Sequence, residues 1–203
     1  MNRTMTPTRP SQCKSARLAF IRHGATAPNL AGLRCGGDLD VPMTEIGLRQ
    51  VDDAARKLVG LNLDIGLIVT SDLRRTRDTA AIISVALGGV EIQVLPDFGE
   101  RRLGAWNMQS VPATEAQLRD RLTPPGGESD KAFLVRIGQA VNRLAPLLPR
   151  RPLLVGSRGV ARALGELLGR SGRVSLQNGE VVQFDLANHL QPSVAPCHTE
   201  CTP

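Results

Sequence analysis

The residues best suited to chemistry in this chain are Arg22, His23 and Gly24, which follow directly on four apolar residues, Leu18 to Ile21. A short apolar run stopped by a glycine reads as a strand buried on both faces, as in a parallel sheet. Ligands in open α/β sheets bind beyond the carboxyl ends of such strands, beside helix N-termini that favour anions. An arginine there offers a phosphate its planar fork of donors. A neutral imidazole beside that phosphate can attack it and form a phosphohistidine. The pattern returns after the apolar run Ile65 to Val69, which leads at once into SDLRRTRDTAAIISVALGG. Arg75 falls in the opening turn of that second segment, on the side of Thr79 and Ile82. It therefore faces inwards, whereas Arg74 and Arg77 project to solvent. Further on, Glu100 lies in an irregular stretch ahead of Gly104 and Trp106. A carboxylic acid there could protonate the leaving oxygen of a phosphate ester. An ion pair with Arg101 or Arg102, or simple exposure, is an equally open reading.

These residues need a frame, and the rest of the sequence describes one. Residues 24–43 hold four glycines and two prolines and read as a long, functional loop. Thr44 offers an N-cap, and Ile46, Val51, Ala54, Ala55 and Leu58 mark the inner face of a helix ending near Gly60. The helix opened by Ser71 stops at Gly88-Gly89, and Val90 to Leu95 alternates as a third strand. A weak helix is expected near 113–121, then a break at Pro124-Pro125-Gly126-Gly127 and a longer helix over 129–148. Leu153 to Val155 is a fourth apolar strand, a helix follows over 160–168, and Glu180 to Leu186 is a last strand. Strands alternating with helices predict a three-layer α/β/α sandwich around a mostly parallel sheet. The chain divides into a polar arm over 1–16, one domain over 17–190 and a tail over 191–203.

Composition narrows the function classes. With 203 residues and 41% hydrophobic content, the chain suits one sizeable core. No apolar run is long enough to cross a bilayer, and the first residues lack the apolar segment of a secretory signal, so a cytoplasmic protein is expected. The net charge of +6 comes from scattered arginines, not a tract, and aromatics make up only 2%, so base-stacking platforms are scarce and no nucleic-acid partner is expected. Small acidic substrates suit the arginines better. The tail CHTEC, with Cys197, His198 and Cys201, could clasp a metal. No second ligand pair completes such a site with Cys13 or Cys35, and no metal or cofactor is expected.

Together, RHGATAPN, GGDLDVPMTEIGLRQ, SDLRRTRDTA, the glutamate of ERRLGAW, and PPGGES resemble the ordered signature of the histidine phosphatase superfamily, the phosphoglycerate-mutase-like proteins. The resemblance runs from Leu18 to about Leu164. It implies that His23 is the nucleophile, that Arg22, Asn29 and Arg75 hold the phosphoryl oxygens, and that Glu100 is the acid. It also implies a metal-independent phosphomonoester hydrolase acting on a small phosphorylated metabolite. The loop LRCGGDLDVP resembles most that of α-ribazole phosphatases. A mutase fits less well, because the stretch between Trp106 and Pro124 is short. Oligomeric state is open, with a homodimer compatible.

One departure stands out. The family ends its fourth strand with a second histidine followed by glycines, whereas this chain reads LLLVGSRGVARAL with no histidine between His23 and His189. Alignment on Gly159-Val160 and Arg162-Ala163-Leu164 puts Ser157 in the histidine's place and Arg158 beside it; a shifted register puts Arg158 there instead. Both are taken as candidate substrate-binding residues. Asn107-Met108 also stands where relatives usually carry Glu-Gly. A phosphate-binding protein without turnover is therefore the rival reading.

Overall fold

The computed structural model describes residues 17–61, 63–170 and 175–186; the expected arm, the tail with its CHTEC motif and His189 lie outside them. Five strands form one sheet in the order β3-β2-β4-β1-β5, where β1 is Arg17–Arg22, β2 Leu67–Thr70, β3 Ile92–Val94, β4 Pro152–Gly156 and β5 Val181–Asp185. The first four run parallel, and β5 lies antiparallel to β1 at the edge. The central strands β2 and β4 are buried along their whole length, which is why they read as unbroken apolar runs.

Alternate residues feed two cores, as the two-residue period of a strand requires. Leu18, Phe20, Leu67, Val69 and Leu154 face a layer made by α5 (Asp130–Leu144) and α6 (Arg158–Leu167). Ile21, Ile68, Leu153 and Val155 face the layer of α2 (Glu45–Leu61) and α3 (Arg74–Ala86). The three-layer sandwich expected from the sequence is the fold. Two short helices outside these layers, α1 (Ala27–Leu30) and α4 (Val111–Arg119), belong to the loops above the sheet. No helix among the described residues is long and apolar enough to cross a membrane.

Several elements differ from the sequence expectation. The Thr44 hydroxyl does cap α2, accepting from Gly47 N at 3.1 Å, but Ile46 is exposed. Gly47 takes the inner position because α2 presses against the loop after β1: a Cβ added at Gly24 would lie 2.3 Å from the Gly47 carbonyl oxygen. The helix expected from Ser71 begins at Arg74, since the Ser71 hydroxyl bonds Thr76 Oγ1 at 2.8 Å within the turn that precedes it. Strand β3 is three residues long, not six; it is the sheet's edge, paired with β2 alone, and its Ile92 and Val94 are exposed. The helix expected over 129–148 ends at Leu144 and passes into a 3-10 turn, where Pro146 and Pro149 deny the backbone donors that an α-helix needs.

Candidate active site

The carboxyl ends of the parallel strands open into a cleft of about 470 Å³ whose lining includes Arg22, His23, Asn29, Glu100 and Arg158. Five of the seven residues singled out in the sequence thus share one cavity. Arg75 and Ser157 are buried and do not line it.

His23 is the first residue after β1, and its backbone N–H reaches Gly156 O of β4 at 2.9 Å. Its Nδ1 lies 2.8 Å from the Gly24 carbonyl oxygen. A carbonyl can only accept, so Nδ1 carries the proton and the lone pair belongs to Nε2. Burial lowers the imidazole pKa to about 3, and the nearby guanidinium of Arg75, then those of Arg22 and Arg158, push the same way. The ring is neutral at neutral pH. That is the form in which an imidazole attacks.

Arg22 ends β1 and is buried; one Nη donates to Leu176 O at 2.6 Å, and its Nε has no partner among the described residues. Burial, with Arg158 next in effect, lowers its pKa to about 10, leaving it cationic. Asn29 sits in α1, where its Oδ1 accepts from Thr26 N at 3.3 Å and from Asn178 Nδ2 at 3.4 Å. With the oxygen so engaged, the amide NH₂ is the end left for a ligand. Arg75, 1% exposed, donates to Leu39 O at 2.7 Å and to Gly36 O at 3.1 Å, so it braces the loop that follows α1. Its inward setting in α3 was expected; its partners are Thr79 and Ile83, with Ile82 only half-buried.

Glu100 makes no ion pair with Arg101 or Arg102: Arg101 pairs with Asp130 at 3.2 Å. Its carboxylate instead accepts from Gly159 N at 2.9 Å and from Arg101 N at 2.7 Å. The first of these is the N-terminal turn of α6, a favourable seat for an anion. Only glycine allows it, since a Cβ at 159 would fall 1.9 Å from Glu100 Oε1.

The ends of β1 and β4 are in register, with Arg22 opposite Gly156, so Ser157 follows β4 as His23 follows β1. Ser157 is the N-cap of α6 by backbone conformation, yet its hydroxyl is buried and unpartnered. Arg158, the first residue of α6, is exposed to the cleft without a hydrogen-bond or ion-pair partner among the described residues.

Sequence reasoning missed several contributors. Asn178 donates to the His23 carbonyl at 2.8 Å from across 155 positions of sequence. Eight arginines line the cleft altogether, and Arg34 holds one wall: it donates to Thr114 Oγ1 at 2.8 Å, Val111 O at 3.1 Å and Glu115 at 2.7 Å. That wall is α4, through Val111, Glu115, Leu118 and Arg119. The four-residue spacing of Arg158, Arg162 and Glu166 was the available signal for a charged helix face. Asn107 accepts from Gly36 N at 2.7 Å and so ties the loop that Arg75 also braces. Met108 beside it takes a left-handed φ of 60°, a conformation that favours glycine. Among the described residues, no three His, Cys, Asp or Glu side chains come together to hold a metal ion.

Proteins similar to this chain in sequence and fold include phosphatases. The metal-independent phosphoserine phosphatase of Arabidopsis thaliana is 30% identical over 159 residues, 72% of this chain and 66% of that protein. The adenosylcobalamin/alpha-ribazole phosphatase of Escherichia coli K12 is 28% identical over 151 residues, 70% of this chain and 72% of its own. The crystal structure of TTHB049 from Thermus thermophilus superposes with a TM-score of 0.67 at 29% identity, covering 83% of this chain and 93% of that one. The family model of the histidine phosphatase superfamily (branch 1) matches residues 18–190, and with the strand-end histidine, arginines and glutamate in one cleft, the chain belongs to that superfamily.

Proposed function

We propose that this chain hydrolyses a small phosphomonoester through a phosphohistidine on His23, without a metal ion. The observation that carries the reading is the bond from His23 Nδ1–H to Gly24 O, which points a neutral Nε2 lone pair at an arginine-lined cleft. Nε2 attacks phosphorus as the ester P–O bond breaks. Arg22, Arg158 and the Asn29 amide hold the non-bridging oxygens and take up the charge that a magnesium ion would otherwise neutralise. The leaving oxygen takes its proton from the Glu100 carboxyl, and the N–H groups of Gly159 and Arg101 receive the carboxylate left behind. Water then attacks phosphorus, gives a proton to Glu100 and breaks the P–N bond, releasing inorganic phosphate. Arg75 acts behind the histidine, keeping the ring neutral and the loop in place.

A substrate of the α-ribazole phosphate kind is the narrower form of this reading. The loop Leu33 to Pro42 and the likeness to the Escherichia coli phosphatase support it. The rival reading, phosphate binding without turnover, is favoured by Ser157, whose buried hydroxyl stands in place of an imidazole and does not line the cleft. Incubation with labelled phosphoester separates the two. Acid-labile, base-stable label is expected on the peptide containing His23 and is expected to vanish in His23→Ala. Label that persists in that variant removes His23 as nucleophile, and binding without label supports the rival.

A further inference from the structure

The cleft does not stop at the strand ends. Arg158, Arg162 and Glu166 lie four residues apart on one stripe of α6, and Arg170 follows just past its end. The chain turns there through Gly169 at φ 64°, and Arg170 N bonds Gly165 O at 2.9 Å, so its side chain is delivered back to the same groove. All four residues line the cavity that holds His23. Ten residues of helix make this groove about 15 Å long beyond Arg158.

The charges along it are unevenly compensated. Arg162 meets Asp130 at 2.8 Å and Glu166 at 3.4 Å, and Arg121 from the facing loop meets the same two carboxylates at 3.0 and 2.8 Å. Arg101 also pairs with Asp130, so the cations in the middle of the groove are all ion-paired. Arg158 and Arg170, at its two ends, meet no carboxylate among the described residues. Arg170 is nonetheless placed: its guanidinium carbon sits 5.1 Å from the ring centroid of Phe184, which is itself buried and packed edge-on against Phe20. A cation held over an aromatic face at the far end of a cationic cleft is a preorganised anion receptor.

We propose that this groove is a second subsite, and that the substrate is an elongated phosphomonoester carrying a second anionic group that Arg170 binds. The proposal rests on the phosphomonoesterase reading and names the substrate class for the same cleft, in place of the α-ribazole phosphate form, which carries a single anionic group. One anionic end reacts at His23; the other reaches along α6 over the ion-paired middle.

The test uses binding, so that it does not depend on turnover. His23→Ala protein is titrated calorimetrically with an α,ω-alkanediol bisphosphate long enough to span the groove, and with the ω-hydroxyalkyl monophosphate of equal length. The bisphosphate is expected to bind about tenfold tighter or more, the scale of one charge-assisted contact. Adding Arg170→Gln is expected to bring the ratio near one, whereas adding Arg77→Gln, an exposed charge on α3, keeps it. Equal binding of the two ligands in His23→Ala, or a ratio that survives Arg170→Gln, overturns the subsite. Turnover of the monophosphate by the unmodified chain reports separately on the phosphomonoesterase reading.

Discussion

Strands β1 and β4 lie side by side, end at the same level, and hand the chain to the same cleft, yet their ends are built differently. After β1, most polar groups are tied: His23 to Gly24 O and Gly156 O, Arg22 to Leu176 O, and Gly24 N to Thr79 Oγ1 at 3.3 Å, with Arg22 Nε and the Thr26 hydroxyl left over. After β4, the Ser157 hydroxyl is buried with no partner, and Arg158 reaches into the cleft without one. Buried polar atoms are satisfied as a rule, so an orphan invites an explanation. Here the explanation is local. A serine side chain stops short where an imidazole would emerge into the cavity. The nucleophile's half of the site is preorganised, and the half that faces it holds a short buried hydroxyl and an unpaired charge.

That contrast can be broken from the β4 side first. Gly159→Ala forces a Cβ into the Glu100 carboxylate and should unseat it from α6. Turnover of an alkyl phosphate, whose poor leaving group needs a proton, is expected to fall by ~10²–10⁴, the usual worth of a general acid, with phosphate affinity little changed. Undiminished turnover would show that the acid step needs neither this seat nor this residue. The next variant rebuilds the missing half. Ser157→His with Arg158→Gly is expected to raise turnover by up to ~10²–10³, and Ser157→His alone by less, because Arg158 crowds the new ring. If the natural chain is already fast and the double variant slower, Arg158 has replaced the histidine.

Two smaller effects sharpen the same comparison. Arg22→Ala should weaken phosphate binding about 10- to 100-fold by calorimetry, and Arg158→Ala less, because an anchored guanidinium loses less freedom on binding than an exposed one. Equal losses would mean that the two strand ends grip the ligand alike. The last effect concerns pH. Burial holds the His23 pKa near 3 in the folded chain, below its ordinary 6.5. The unfolded chain therefore takes up this proton first on acidification. Stability from this group is whole above pH 6.5 and falls by about 1.4 kcal/mol per unit as pH drops towards the folded value. Urea midpoints across that window should show a slope that His23→Asn reduces; an unchanged slope would place the histidine's charge elsewhere.

How much of this was legible beforehand follows from the range of each interaction. Strands β1, β2 and β4 announced themselves because burial on both faces demands unbroken apolar runs. Arg75 was legible because its periodicity in α3 was incompatible with a solvated face. Ile46 misled because hydropathy says nothing of how closely α2 approaches Gly24, which only Gly47 tolerates. Strand β3 looked longer because alternation survives where pairing does not. Asn178, Leu176 and Arg34 were invisible, since each matters only through a partner far away in sequence. The reason for Gly159 was equally hidden, because the atom that forbids a side chain there belongs to Glu100.

The close passage of α2 has a mechanical consequence. Gly24 and Gly47 press backbone on backbone, so the loop that carries the nucleophile cannot shift towards α2 without a collision. The opposite wall is held differently: α4 is tied to the loop before it by the guanidinium of Arg34 and by backbone hydrogen bonds between residues 32–34 and 108–111. One wall of the cleft is thus set by backbone contact and the other by hydrogen bonds. Removing the Arg34 bonds would loosen the α4 wall and leave the Gly24–Gly47 contact intact. The setting of that wall and the setting of the nucleophile can therefore be changed apart, one at a single arginine and the other at the strand ends.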